Sequence, residues 1–243
     1  MFAIFTKEVS GFFSSLTGYI AATFFLVVIG LIIWVFPGSM NVLDSGYSSL
    51  ETLFIIAPWV FMFLVPAITM KTFAEEKKNG TIELILTRPI SDTKLILAKY
   101  FASVLLVLFI LIPSLVFFFS IYFLGSPVGN IDTGGTWGSF IGLFLLAASY
   151  AAIGIFASSL TDNQIVSFIL AMVIALLVYI GFDSLASLGM FSEIKYFIVQ
   201  LGINEHYSSI SRGVIDTRDV VYFVCLSSLF IVATRIRIQS RKW

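Results

Sequence analysis

Few side chains of this sequence could take part in chemistry, and most of them are charged residues gathered in one segment. Residues 71–94 carry nine of the 28 formal charges, a mixture of carboxylates and ammonium groups that suits ion pairs with a partner. The only histidine, His206, follows Glu205, but two side chains are too few to hold a metal ion, so we expect a surface or lid histidine. The single cysteine, Cys225, excludes an internal disulfide and is expected to pack inside an apolar helix.

Sequence motifs for catalysis are absent from the chain. It has no Gly-x-x-x-x-Gly-Lys-Ser/Thr, no Gly-x-Gly-x-x-Gly, no His-Glu-x-x-His and no Gly-x-Ser-x-Gly. We therefore predict no catalytic residue, no cofactor-binding residue and no metal ligand. The chain is expected not to be an enzyme and not to hydrolyse ATP itself.

The composition predicts that the elements carrying these residues are membrane helices. Apolar residues make up 59% of the 243 residues, and charged residues only 12%. Soluble domains carry about 25% charged residues, because their surfaces face water. The chain is therefore predicted to be an all-α integral membrane protein. Lys and Arg together equal Asp and Glu in number, so we expect no nucleic acid partner.

Uncharged stretches divide the chain into six predicted spans, each long enough to approach the roughly 20 apolar residues that a bilayer requires. They lie at residues 17–36, 52–70, 97–123, 137–160, 163–182 and 220–238, within a single transmembrane domain of residues 1–243. Only 15 uncharged residues separate Asp219 from Arg235, about 23 Å of helix. The sixth span therefore needs Arg235 and Arg237 to extend their charged ends to water.

The basic residues predict the orientation of these spans. With the N-terminus in the cytoplasm, only Lys195, Arg212 and Arg218 of the 14 Lys and Arg residues lie outside. This is a strong positive-inside distribution, so both termini are predicted to be cytoplasmic. The cores of the first five spans contain no Asp, Glu, Lys, Arg or His, which argues against an ion-coupled carrier that works without an ATPase.

Two further regions are predicted to form helices at the membrane surfaces. Before the first span, apolar residues recur at helical spacing and predict a short interfacial helix, the alternative being the start of a long first helix: Phe2, Phe5, Val9 and Phe12. The outer loop 183–219 is predicted to hold two short amphipathic or re-entrant helices, from apolar residues three or four apart: Leu185, Leu188 and Phe191, then Ile194, Phe197, Ile198 and Leu201.

The cytoplasmic segment 71–96 is predicted to contain a helix of its own. Asn79-Gly80 is a turn signal, Thr81 is the expected N-cap of a short helix, and Pro89 ends that helix. A second capping signal at residues 91–92 begins the helix that enters the third span. One side of the short helix stays apolar, as in a helix that docks on a partner. The plain alternative is a helical hairpin that only covers the bundle.

This segment resembles the signature of the type-2 ABC exporter permeases, the ABC-2 family. The family signature is roughly Glu-Lys/Arg-x-x-Gly-Thr-x-Glu-x-Leu-x-x-x-Pro. Here it reads Glu76-Lys77-Lys78-Asn79-Gly80-Thr81-Ile82-Glu83-Leu84-Ile85-Leu86-Thr87-Arg88-Pro89, with Lys99 downstream. The stretch from His206 to Tyr222 is similar to the segment before the sixth span of that family. Within the family, the chain is most similar to the gliding-motility-associated permease F subunits of Bacteroidetes-type bacteria.

The resemblance implies partners and residue roles. In the family, this segment forms a coupling helix that docks on a separate ABC ATPase subunit, which binds ATP and Mg²⁺. The resemblance implies rim contacts from Glu76, Glu83 and Arg88, entry of Leu84 and Leu86 into a groove of the ATPase, and the turn, cap and end of the helix at Gly80, Thr81 and Pro89. It also implies a second permease subunit, in a homodimer or a heterodimer, and a location in the bacterial inner membrane.

The implied function is that of the transmembrane permease subunit of an ATP-driven exporter linked to gliding motility or secretion. The alternative is an ABC-type membrane machine that transmits force or scaffolds a gliding or secretion complex without moving a substrate. Both functions need the coupling loop, so the sequence hardly separates them. It identifies no substrate.

Overall fold

The computed structural model describes residues 1–86, 91–187 and 195–240, with the backbone alone at residues 84–86. Over these ranges the chain is helical and contains no β-strand. The helices are α1 (Phe2–Phe13), α2 (Leu16–Trp34), α3 (Val42–Ser45), α4 (Glu51–Thr69), α5 (Lys71–Lys78), α6 (Thr81–Leu86), α7 (Asp92–Leu124), α8 (Thr133–Leu160), α9 (Gln164–Leu176), α10 (Phe182–Ser187), α11 (Lys195–Val199), α12 (Ile203–Ile210) and α13 (Thr217–Gln239). A π-helical stretch, Leu177–Gly181, joins α9 to α10.

Six helices within the described ranges are long and apolar enough to cross a membrane, which confirms the predicted all-α membrane fold. They are α2, α4 with its continuation α5, α7, α8, α9 with its continuation α10, and α13. Several extend beyond the predicted spans. Helix α7 has 33 residues, about 50 Å of helix against roughly 30 Å of hydrocarbon. A charged residue ends an apolar run without ending the helix, so the helices extend beyond the limits of the predicted spans.

Helix α8 lies at the centre of the bundle and packs against α4, α9 and α13. Glycines in α8 allow the close approach of α4 and of α12. A Cβ atom on Gly142 would lie 2.6 Å from Cγ2 of Ile210, and one on Gly154 would overlap the hydroxyl of Thr69. The small residues spaced four apart in α8 therefore serve packing within the bundle. Helices α2 and α9 lie at the periphery and expose apolar faces.

Helix α1 is separate from the first span, as the apolar spacing predicts. It ends at Phe13, and the backbone at Ser15 is extended, with φ −97° and ψ 147°, before α2 begins at Leu16. Helix α1 then lies against α7, where the rings of Phe13 and Phe109 meet edge to face with centroids 4.6 Å apart. The alternative of one long first helix is wrong.

The outer region differs from its prediction. The fifth span does not end at residue 182, because it continues through the π-helical stretch into α10. The packed amphipathic helix is α12, whose apolar face is buried: Ile203, Tyr207 and Ile210. Phe197, part of the predicted apolar stripe, is exposed instead. Spacing alone does not distinguish a buried stripe from an exposed one when both lie beside a membrane. The remaining predicted positions Leu188, Phe191 and Ile194 lie outside the described residues.

Candidate functional site

The segment after the second span is a direct continuation of that span. Helices α4 and α5 meet at Met70, which keeps helical backbone angles of φ −55° and ψ −30°. The buried hydroxyl of Ser158 in α8 lies at this junction. It accepts hydrogen bonds from the backbone N–H groups of Phe73 at 2.9 Å and Ala74 at 3.0 Å, and donates to the Met70 carbonyl at 3.0 Å. A hydroxyl has one donor and two acceptor sites, so Ser158 is saturated.

A lysine holds the other end of α5 against the same helix. The ammonium group of Lys77 donates to the carbonyl oxygen of Ser159, in the last turn of α8. The C-terminal end of a helix carries partial negative charge from its unpaired carbonyl groups, so a lysine is favourable there. Together with Ser158, this contact attaches both ends of α5 to the C-terminal end of α8.

A buried lysine joins α5 to two more helices. Lys99 of α7 is 1% exposed. Its ammonium nitrogen lies 2.7 Å from Oε1 of Glu8 in α1, 2.9 Å from Oε1 of Glu76 in α5 and 2.8 Å from the carbonyl oxygen of Thr72. These three acceptors use all three of its N–H groups. A buried charge is unfavourable unless it is paired, so this cluster is stable only when α1, α5 and α7 are assembled together.

A glycine turn leads from α5 to α6. Gly80 has a φ of +66°, in the left-handed region that favours glycine, as the turn signal predicts. Ile82 in α6 then packs into a small apolar cluster with Phe73, Leu95, Ile96, Ile155 and Ile238. The neighbouring Glu83 is exposed. We call α5 and α6, residues 71–86, the coupling segment, after the role that the sequence resemblance implies for it. It is anchored on the bundle along one face and open on the other.

A short helix anchored after the second of six spans is the arrangement that the sequence resemblance implies. Residues 39–202, more than half of the chain, match the family model described as ABC-2 family transporter protein. The chain belongs to the ABC-2 transporter family. No curated protein matches it. The matched range includes the coupling segment and Lys99. The permease is therefore a multi-pass membrane component of an ABC transporter, and its family works with an ABC ATPase.

Two predicted site residues of the permease have other roles than expected. Glu76 is 9% exposed and paired with Lys99, so the expected rim contact with a partner is wrong. A carboxylate buried beside an ammonium group does not reach a partner surface. Thr81 is the first residue of α6 and not the residue before it, and its hydroxyl donates to the Glu76 carbonyl at 3.3 Å. It therefore joins α6 to α5 instead of capping α6.

The other predicted positions divide into two groups. Gly80 forms the expected turn, and Glu83 is exposed, as a contact with a partner requires. The side chains of Leu84 and Leu86 and the whole of Arg88 and Pro89 lie outside the described residues, so their roles stay predictions.

The side chains that attach the coupling segment to the bundle, Lys99 and Ser158, were missed by sequence reasoning. Lys99 begins a run of 32 uncharged residues, and a lysine so close to an apolar core is a signal that it needs a buried partner. Ser158 gave no comparable signal, because a serine in a small-residue helix is ordinary. Its two backbone partners lie more than 80 residues away in the chain.

At the opposite end of the permease, α12 is fastened to α4 by a buried tyrosine. The Tyr207 hydroxyl donates to the carbonyl oxygen of Phe54 at 2.7 Å. Burial, with a smaller contribution from the nearby Tyr179, raises the pKa of the Tyr207 hydroxyl well above its ordinary value. The hydroxyl therefore keeps its proton and remains the donor in this hydrogen bond.

His206 lies at this end in α12 with its side chain 15% exposed, so of the two expected positions, surface or lid, it takes the partly covered one. Its Nδ1 lies 2.7 Å from Oδ1 of Asp219, and its Nε2 lies 2.9 Å from the carbonyl oxygen of Gln200. Its ring stacks on Tyr222 with centroids 3.9 Å apart. These contacts fasten α12 to the start of α13. Cys225, expected to pack inside, is instead exposed on the outer face of α13.

Proposed function

We propose that this permease is the transmembrane subunit of an ATP-driven exporter, and that its coupling segment transmits the movement of a separate ATPase subunit to the spans. ATP and Mg²⁺ bind to that ATPase in this proposal, and the permease supplies no catalytic group. The observation that carries the proposal is the attachment of one short segment to three spans.

The coupling segment is attached to the spans without a flexible linker. Helix α5 continues α4 without a loop, Ser158 attaches it to α8, and Lys99 attaches it to α7. Close-packed interiors have low compressibility and pass displacements on to their neighbours. A tilt imposed on α5 therefore moves three spans together and is not absorbed by a flexible linker. A hairpin that only covered the bundle would not need buried polar bonds to three helices.

Helix α6 offers the surface on which the ATPase docks. An α-helix turns by about 100° per residue, so position 84 lies opposite position 82, where Ile82 packs on the bundle. We assign Leu84 to the ATPase groove and the exposed Glu83 to its rim. Leu86, Arg88 and Pro89 keep the roles that the family resemblance implies, in the groove, at the rim and at the end of the helix.

The coupling segment belongs on the cytoplasmic side in this proposal. Exposed basic residues lie within it, at Lys71 and Lys78, and on helices α1, α7 and α13, which pack beside it: Lys7, Lys94, Arg235 and Arg237. Positive residues concentrate on the cytoplasmic side of membrane proteins, which supports cytoplasmic termini. The family resemblance supports the bacterial inner membrane as the location. It also supports a second permease subunit, identical or related, since an exporter core of this family pairs two permeases.

Two arginine substitutions on α6 test the proposal. Glu83→Arg and Leu84→Arg change the docking face without touching the buried anchors. Glu51→Arg is the matched control, because Glu51 is equally exposed but lies at the other end of α4. We expect both α6 variants to insert normally and to lose ATPase co-purification or the coupling of ATP hydrolysis to transport, while Glu51→Arg retains both. Wild-type co-purification and coupling in both α6 variants would refute the proposal.

A link to gliding motility or secretion is the finer part of the proposal and rests on the sequence resemblance alone. Deletion of the permease in a gliding bacterium should stop gliding or secretion, and the Glu83→Arg variant should fail to restore it. Restoration by Glu83→Arg at normal abundance, with coupling lost, would assign the permease a scaffolding role in that process.

A further inference from the structure

A cavity of about 440 Å³ lies between α1, α5 and α7, beside the buried lysine cluster. Its lining changes along the helices. In α1 and α7 the charged Glu8 and Lys99 come first, and the apolar Phe12 and Leu106 follow about one or two turns later. One end is therefore charged, whereas the other is mainly apolar with a few hydroxyl groups: Ser15, Thr17 and Ser103. A cavity with a charged end and an apolar end is suited to a molecule with the same division.

The charged end has an excess of acceptors. Two carboxylates, Glu8 and Glu76, share one buried ammonium group, whose three N–H groups are all used. Lys7 approaches Oε1 of Glu76 at 3.6 Å, but its side chain is 68% exposed, so water screens this pair. Within the described part of the chain, Oε2 of Glu76 is buried and has no hydrogen-bond partner. A buried carboxylate oxygen without a donor is unfavourable, so the cavity favours a cationic donor at this atom.

We infer that this cavity binds an amphiphile with a primary ammonium group, of which phosphatidylethanolamine is the natural probe. The ammonium donates to Oε2 of Glu76, where a quaternary ammonium could donate nothing. The phosphate lies toward the rim, where the exposed Lys71 also lines the cavity. The first part of an acyl chain lies against Phe12, Ile68 and Leu106.

The size and position of the cavity suit an amphiphile. Its volume of about 440 Å³ is many times the roughly 30 Å³ that a water molecule takes in the liquid, so it has room for a head group and the first part of an acyl chain. Helix α1 forms one wall, and its apolar residues are those expected of a helix at the membrane interface. The inference rests on the proposed cytoplasmic position of this end, which makes the inner leaflet the source of the ligand.

Lipid retention by the purified permease tests the inference without any ATPase. The permease is equilibrated in detergent with equimolar phosphatidylethanolamine and phosphatidylcholine of identical acyl chains, and the bound lipids are counted by native mass spectrometry. We expect the wild type to retain phosphatidylethanolamine about tenfold better than phosphatidylcholine, because one charge-assisted hydrogen bond has about this effect on affinity. Glu76→Gln should bring the two lipids within about twofold. Glu51→Gln, at an exposed carboxylate at the other end of α4 and outside the cavity, should keep the wild-type preference.

A series of lipids with increasingly methylated head groups tests the inference on the wild-type permease. This measurement does not depend on whether a variant folds. Monomethyl and dimethyl derivatives of phosphatidylethanolamine keep two N–H donors and one, so both should be retained nearly as well as the parent lipid, whereas the quaternary head group, which has none, should be retained about tenfold less. Equal retention of all head groups by the wild type, or an unchanged preference in Glu76→Gln, would overturn the inference. Displacement of the lipid by millimolar ethanolamine phosphate would refute the inference that the ligand is an amphiphile. It would show that the cavity binds a soluble amine. None of these measurements depends on the coupling of ATP hydrolysis to transport. A negative result would therefore refute the lipid inference without contradicting the proposed function.

Discussion

Replacing Lys99 by methionine should destabilise the permease more than the replacement of any exposed lysine. Methionine keeps the length of the side chain and removes the ammonium group that Glu8, Glu76 and the Thr72 carbonyl share. Removing one partner of a buried ion pair costs about 3–5 kcal/mol, because the other charge is left without compensation. The Glu8 side chain is 25% exposed and can turn to water, so we expect the lower end, about 3 kcal/mol.

The double variant Lys99→Met/Glu76→Gln separates the ion pair from simple packing. It removes the carboxylate that the single variant leaves stranded, so about half of the lost stability should return. Lys94→Met is the control, because Lys94 lies on the same helix and is exposed. Its effect should stay within about 0.5 kcal/mol, as for most surface substitutions.

Thermal unfolding in a single detergent measures these differences. For a chain of this size, each kcal/mol lowers the midpoint by about 2–4 °C, so Lys99→Met should unfold on the order of 10 °C below the wild type. A midpoint of Lys99→Met equal to that of Lys94→Met would refute the assignment of a buried ion pair. So would a double variant that is less stable than Lys99→Met.

Three further substitutions follow from single contacts. Ser158→Ala leaves two buried N–H groups without an acceptor and should cost about 2–3 kcal/mol, whereas Ser159→Ala, whose hydroxyl bonds within its own helix, should be nearly neutral in the same unfolding assay. Equal effects would contradict the role of Ser158. Gly154→Ala should destabilise by about 1–3 kcal/mol through overlap with Thr69, and adding Thr69→Ala should restore part of the loss; no restoration would rule out that overlap. Tyr207→Phe should cost about 1 kcal/mol without changing the half of the protein that contains α5 and α6, which limited proteolysis can report; a changed cleavage pattern at the coupling segment would contradict this.

The spans and the short helix after the second span were predictable because local patterns determine them. A bilayer demands long apolar runs, and charges interrupt those runs wherever the chain leaves the lipid. Gly80 and the following short apolar helix are likewise local features. The limits of the spans were less predictable, since α7 and the fifth span both continue beyond their apolar runs.

The anchors could not be predicted because they join residues distant in the chain. Glu8 and Glu76 lie 91 and 23 residues from Lys99, and no periodicity relates the three. Glu76 illustrates the consequence. Its place in a charged segment suggests a contact with a partner, whereas its burial beside Lys99 gives it an internal role. The exposed or buried state of a charge in such a segment is a tertiary property.

The lysine cluster also constrains the order of events during biosynthesis. Synthesis runs from the N-terminus, so Glu8 and Glu76 leave the ribosome before Lys99 does. Until the third span has entered the bilayer, both carboxylates lack their ammonium partner and must stay in contact with water. Helix α1 therefore cannot settle into its final place when the first span inserts. In a nascent chain stalled before residue 99, α1 should be unburied and accessible to proteases. Once Lys99 is in place, it pairs with Glu8 and Glu76, and α1 becomes packed against α5 and α7.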